Sequence, residues 1–375
     1  MRDDVRAVLD GAGPALGYAW QPSLRGADTP FHLAGVDEQL RRFFDEKESR
    51  AGSQGEHFAA LWAALRRASL GGKRIRPALV VHTARELGCD RPQAADAVAA
   101  AFELLHTAFL LHDDVIDGDT RRRGRPNLIG EFRASARSCG AAESAAVAWS
   151  SAAGVLAGDL LLHAAQALIA RLDVDEDRRL GLLDLLDRTL SVTAAGELGD
   201  VALSVGTTAP SLADALTVTR AKTAHYSFQA PLQAGAILAG AGSREQDALS
   251  GFGRSAGIAF QLRDDLLGVF GDPAVTGKSN SVDIRRVKLT PLVAYALGTE
   301  HGPRLRLILE TGAPREIDVA SAREILMRSG ACAFVEGLID DHVAAAEATL
   351  RDAPLPKTLH ERLVAIAHEA GARSW

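Results

Sequence analysis

Cysteine is scarce, with three residues in 375, at positions 89, 139 and 332. They are odd in number and far apart, and no CxxC pair exists. A disulfide scaffold is excluded, and the usage fits a reducing, cytoplasmic setting. Aromatics are also few, at 5%, which argues against a surface that works by stacking on bases. There is no basic excess. Lys and Arg number 42 against 48 Asp and Glu, for a net charge of −6. Nucleic acid is therefore not expected as the partner, because a phosphate backbone needs a basic surface. Long apolar runs are missing too. The richest stretch, Ala145 to Ala170, is interrupted by Asp159 and His163, so a buried helix pair is expected there and no integral membrane segment. The N-terminus begins Met-Arg-Asp-Asp with no apolar run behind it, and no secretory signal is expected.

With 47% hydrophobic and 24% charged residues the composition is that of a globular protein. Whole-chain disorder and a collagen-like repeat are excluded. A chain of this length can bury a large core without staples. Residues 1–35 are broken by Gly11, Gly13, Pro14, Gly17, Pro22, Gly26 and Pro30, which predicts an irregular N-terminal extension. Beyond it Ala, Leu, Arg and Glu recur with few β-branched runs, a helix-forming composition. Helices are expected near 36–50, 55–70, 74–88, 92–117, 142–171, 176–204, 211–240, 244–271, 289–300, 318–329, 331–350 and 357–371. The breaks fall at Gly71-Gly72, Gly88 to Pro92, Gly124 to Pro126, Ala209-Pro210 and Gly271-Asp272-Pro273. No strand longer than a few residues and no internal repeat is evident. The economical reading is an all-α single domain spanning 36–375.

Chemistry concentrates in a few places. His112-Asp113-Asp114-Val115-Ile116-Asp117-Gly118-Asp119 follows the apolar run Ala101 to Leu111. Asp113 and Asp117 share a helix face, as do His106 and Phe109, and like charges at this spacing destabilise a helix unless a cation compensates. All-oxygen ligands suit Mg²⁺. One Asp pair alone is ordinarily a solvated helix end. However, Arg121, Arg122, Arg123 and Arg125 follow at once, and arginine supplies planar donors suited to a diphosphate. The theme returns about 150 residues later, where Gln261, Asp264 and Asp265 fall on one helical face. Lys278 and Lys288 follow that cluster. Upstream, Gly71-Gly72-Lys73-Arg74-Ile75-Arg76-Pro77 joins flexible glycines to a basic knot, and Lys222-Thr223 interrupts an apolar helix.

Together these residues resemble the trans-prenyltransferases, the isoprenyl diphosphate synthases, from about Gly71 to Lys288. HDDVIDGDTRRRGRP at 112–126 is similar to the family's first aspartate-rich motif, and FQLRDDLLG at 260–268 to its second. GGKRIRP at 71–77, ELLHTAFLLHDD at 103–114, GDLLL at 158–162 and AKTAHYSF at 221–228 match further segments in the family's order. The resemblance implies the isoprenoid synthase fold, a helical bundle around a central cavity, usually as a homodimer. It also implies that Asp113, Asp114, Asp117 and Asp264 bind Mg²⁺, three ions per site, with Asp265 in support. Arg122, Lys222, Lys278 and Lys288 would contact the allylic diphosphate (dimethylallyl, geranyl or farnesyl). Lys73, Arg76, His106 and Arg123 would hold isopentenyl diphosphate, and Thr223 and Gln261 would line the reacting carbons.

The implied reaction is ionisation, condensation and elimination. Phe109, one turn before Asp113, would set chain length, with Ala108 small beside it. That favours geranylgeranyl diphosphate (C20), with farnesyl diphosphate (C15) the rival. Some positions depart from the pattern. Gly268 stands where the second motif has its last aspartate. The segment after Lys278 lacks the usual Pro and Gly, Val287 replaces a glycine, and Asn127 a threonine. Two other readings are a terpene cyclase of the same fold, which would not need Lys73, Arg76, His106 and Arg123, and a non-catalytic subunit of a prenyltransferase.

Overall fold

The computed structural model describes residues 33–122, 124–206, 211–271, 288–311 and 315–372. Arg123, Lys278 and the segment 279–287, all singled out above, lie outside the described residues, as do residues 1–32. The order is α1 (Ala34–Ala51), α2 (Glu56–Ser69), α3 (Ile75–Glu86), α4 (Pro92–Ile116), β1 (Arg121–Arg122), β2 (Arg125–Pro126), α5 (Leu128–Ser138), α6 (Glu143–Ala170) and α7 (Glu176–Ser204). It continues with α8 (Leu212–Thr219), a π-helical segment (Arg220–Gln229), α9 (Ala230–Ala239), α10 (Ser243–Phe270) and α11 (Pro291–Leu297). The last four are α12 (Gly302–Leu309), α13 (Glu316–Arg328), α14 (Ala331–Leu350) and α15 (Lys357–Ala372). Among the described residues the only strands form one antiparallel hairpin pairing Arg122 with Arg125.

The all-α expectation holds, and helix ends follow local chemistry. Pro92 starts α4 at a position where its missing N–H is no loss. Asp175 and Ser211 cap α7 and α8 by accepting from the backbone N–H three residues on. Three details differ from expectation. Two helices were not foreseen, α5 and α12, each bordered by the Gly and Pro that read as loop. Residues 211–240 do not form one helix, because a π segment separates α8 from α9. The stretch from Ala145 is one helix of 28 residues, not a pair, and its far side is not buried.

The core comes in three apolar clusters. The largest joins α1–α7 with α9, and includes Leu40, Phe44, Leu65, Leu104, Leu161 and Leu185. The second surrounds α10 with α11–α14, and the third packs α9 and α10 against α14 and α15. The site described next forms where α4, α7 and α10 meet the π segment.

Candidate active site

Helix α4 ends abruptly after its aspartates. Gly118 adopts φ 68°, which only glycine takes without strain. It lets Asp119 N–H donate to the Asp114 carbonyl at 2.8 Å, closing the last turn. Three aspartates thereby sit at the negative end of a helix dipole. That placement is unfavourable unless cations approach, and cations do approach from three other segments.

Lys222 comes from the π segment. Its Nζ lies 3.1 Å from Asp113 Oδ1, 3.0 Å from Glu197 and 2.6 Å from Asp200. Lys288 Nζ lies 3.2 Å from Asp117 Oδ2. The β-hairpin turns back over α4, so Arg122 forks onto Asp114 Oδ1 at 2.6 and 3.2 Å and reaches Asp113 at 3.4 Å. Burial raises the Asp113 carboxyl, but Lys222, Lys288 and Arg122 outweigh it and hold the group below the usual carboxylate range. Desolvation opposes the charge on Lys222, yet Asp113, Asp200 and Glu197 raise its pKa well above that of an ordinary lysine. Asp113 and Lys222 are thus each held in the charged form by their neighbours, whereas burial pushes the carboxyls of Asp114 and Glu197 up.

Local sequence explains how Lys222 gets there. Pro231 lacks the N–H that an α-helix would use, and the ladder has already widened ahead of it. Ala230 N–H donates to the His225 carbonyl, five residues back. A side-chain chain braces the wide turn, with His225 Nδ1 meeting Gln229 Oε1 at 3.2 Å and Gln229 donating to Ser250 at 2.9 Å. Glycines on both neighbours let the segment sit close. Gly196 of α7 lies against the backbone of Ala221 and Lys222, and Gly257 of α10 would carry a Cβ 2.8 Å from Ala224 Cα.

A second group of contacts lies one to two turns back along α4. Tyr226 Oη meets His106 Nδ1 at 3.4 Å. The Arg76 guanidinium lies 4.6 Å over the Tyr226 ring and donates to Ser227 Oγ at 2.6 Å. Phe109 packs edge-on against the same ring at 5.0 Å. Lys73 is exposed in the loop before α3, and Thr223 is half-buried beside Lys222.

The structure gives several of the expected residues further partners. Asp114 is only 2% exposed, and Arg122 holds one of its oxygens. Gln261 donates to Asp265 Oδ1 at 2.8 Å and so orients a buried carboxylate. Ala108 is completely buried, whereas Phe109 beside it is partly exposed. Asp159 of GDLLL reaches His112 at 3.4 Å, and a Cβ at Gly158 would run into the His112 ring, so that motif packs α6 against α4. Asn127 caps α5 by accepting from Gly130 N–H and donates to the Asp119 carbonyl, both at 2.9 Å.

The sequence reading missed Glu197, Asp200, Tyr226 and Ser227. Gly196-Glu197-Leu198-Gly199-Asp200, with two acids three apart beside glycines, was the available signal. Among the described residues no three His, Cys, Asp or Glu side chains converge to cage a metal on their own. Mg²⁺ needs no such cage, since it takes one or two carboxylates and completes its shell with water and phosphate oxygens. The donor set here fits that habit.

The polyprenyl synthetase family profile matches residues 60–326. The chain is 35% identical to a geranylfarnesyl diphosphate synthase of Aeropyrum pernix, over 78% of this chain and 87% of that one. It is 33% identical to a geranylgeranyl diphosphate synthase of Mycobacterium tuberculosis, over 84% and 85% respectively. Its fold superposes with a TM-score of 0.83 on a geranylgeranyl pyrophosphate synthase of Corynebacterium glutamicum, solved with isoprenyl diphosphate and magnesium. That match has 31% identity and covers 91% of this chain and 98% of the other. With helices, charge lattice and sequence in agreement, the chain belongs to the polyprenyl synthetase family: it is a prenyl diphosphate synthase.

Proposed function

We propose that this enzyme joins isopentenyl diphosphate to an allylic diphosphate in a divalent-metal-dependent reaction, with geranylgeranyl diphosphate as product. The observation that carries the reading is the interleaving of Asp113 and Asp117 with Lys222, Lys288 and Arg122 at the end of an apolar helix. Asp113 and Asp117 from α4, with Asp264 from α10, would hold Mg²⁺. When bound, the metal neutralises charge developing on the leaving diphosphate. Lys222, Arg122 and Lys288 add fixed positive charge around the same oxygens. Arg76, His106 and Lys73 hold the second diphosphate, so the isopentenyl double bond meets the allylic cation before water does. The departing diphosphate takes the proton lost at the end. No side chain is needed as a covalent nucleophile.

Purified protein supplied with Mg²⁺, isopentenyl diphosphate and each allylic primer tests this directly. Chain extension is the expected result. Hydrocarbon from one diphosphate alone would identify a cyclase, and silence would favour a non-catalytic subunit.

The relatives' own products differ in length, so the C20 product rests on Phe109. Its ring stands one turn before Asp113 and is locked edge-on by Tyr226, where it blocks a growing chain. Phe109→Ala is expected to shift the product to longer chains, read by chromatography of the dephosphorylated alcohols. An unchanged distribution would defeat this ruler.

The enzyme is further proposed to be a homodimer. Helix α6 has a mean hydropathy of 1.5 over its most apolar window, yet only 39% of that window is buried. Val147, Trp149, Val155 and Leu156 stand exposed along it, Leu156 by 57%. A face of this kind is ordinarily covered, and a second copy covers it here. Light scattering showing a monomer at micromolar concentration would reject this.

A further inference from the structure

Between Lys73 and Arg76 stands an arginine that the reaction as proposed does not use. Arg74 adopts φ 51°, ψ 34°, and is the only non-glycine residue with positive φ among the described residues. A left-handed conformation is strained for a residue that carries a side chain. Gly71 and Gly72 lie just upstream, so glycine was available to the loop; arginine stands at 74 nonetheless.

The side chain accounts for that. Arg74 Nη1 lies 2.7 Å from Glu103 Oε1, with the two side chains only 10% and 9% exposed. The same nitrogen donates to the Ser69 carbonyl at 3.0 Å. A buried ion pair is a weak source of stability, because desolvation offsets the attraction. What the pair does provide is position. Glu103 sits on α4 three residues before His106, so Arg74 pins the loop to α4 beside that histidine. Two residues later, in the first turn of α3, Arg76 pins that helix to Tyr226 and Ser227, and Tyr226 returns to His106. The contacts close a ring from the start of α3 to α4 to the π segment and back. Arg76 and His106 lie on this ring, and Lys73 directly precedes Arg74 in the chain.

We infer that Arg74 and Glu103 are a positioning pair for the second diphosphate site, fixing the junction of loop and α3 that carries Lys73 and Arg76 against the helix that carries His106. The inference rests on the proposed function, since it takes that site to bind isopentenyl diphosphate. The two residues act through their neighbours and do not themselves touch substrate.

The test uses the full chain. Arg74→Gly keeps the left-handed backbone accessible but removes the strut. Glu103→Gln keeps shape and removes the charge, leaving the guanidinium with only the more distant Asp37 carboxylate, 3.5 Å away, as an acidic partner. Arg74→Gly is expected to raise KM for isopentenyl diphosphate by about tenfold or more, while KM for the allylic primer stays within about twofold. At saturating isopentenyl diphosphate its turnover recovers to within about threefold of the parent. Glu103→Gln should show the same pattern where it folds, as judged by circular dichroism. A merely structural role would lower thermal stability and turnover without separating the two KM values. That outcome, or equal rises in both, overturns the inference. If the parent protein binds isopentenyl diphosphate in calorimetry but elongates no primer, the proposed reaction fails. The positioning pair is then still judged by the loss of binding in Arg74→Gly. If the parent binds none, the inference fails with the site.

Discussion

Asp113→Ala is expected to lower turnover by at least about a thousandfold, an added barrier of roughly 4 kcal/mol, while the helical fold persists. Asp113 meets both Lys222 and Arg122, and its carboxyl is held ionised by the surrounding cations. Its loss removes the negative charge meant for the metal on the side where Lys222 would engage the leaving group. The fold survives because neither cation is stranded. Lys222 keeps Glu197 and Asp200, and Arg122 keeps its fork on Asp114. Removing a single partner from a buried charge is damaging when it was the sole one, and here it is not. Steady-state turnover at saturating Mg²⁺ and both substrates, beside a circular-dichroism melt, reads the two halves separately. Turnover within about tenfold of the parent would defeat the assignment of Asp113 as the central carboxylate.

Much of this was legible in the chain. Composition alone pointed to helices, and glycines and prolines marked most of their ends. The aspartates of α4 were readable because like charges at helical spacing require a partner. What the sequence withheld was tertiary. Within residues 211–240 only Pro231 bears on the widened ladder, and a π turn is set largely by what packs on it. Here that is Gly196 on one side, Gly253 and Gly257 on the other, and Pro231 ahead. Glu197 and Asp200 read as ordinary surface acids of a long helix until Lys222 is seen between them. The burial of Asp114 and Ala108 has one geometric cause. Each sits a single residue from a more exposed one, and 100° of rotation turns a side chain toward a neighbouring helix. The hairpin that folds Arg122 back over Asp114 was similarly hidden, since its strands are two residues long.

The close packing around the π segment gives the other large effect. Gly196→Ala adds one carbon, which would press on the backbone of Ala221 and Lys222. Backbone cannot rotate aside as a side-chain tip can, so either α7 or the π segment must shift. The α7 helix is anchored by Leu182, Leu185 and Leu186 in the main core. The π segment has the weaker hydrogen-bond geometry and is the part that gives. A displacement of about 1 Å at a catalytic group can cost about a hundredfold in rate. Gly196→Ala is accordingly expected to lose about two orders of magnitude in turnover. Overall helicity should change little, because most of α7 lies outside the contact. The mechanism makes a further demand, because Lys222 would leave Glu197 and Asp200 partly unbalanced. Affinity for the allylic diphosphate should therefore weaken along with turnover, whereas affinity for isopentenyl diphosphate, which the proposed function assigns to Arg76 and His106, should change much less. Near-parental turnover in Gly196→Ala, or a loss confined to isopentenyl diphosphate, would show that the position of Lys222 does not depend on this contact.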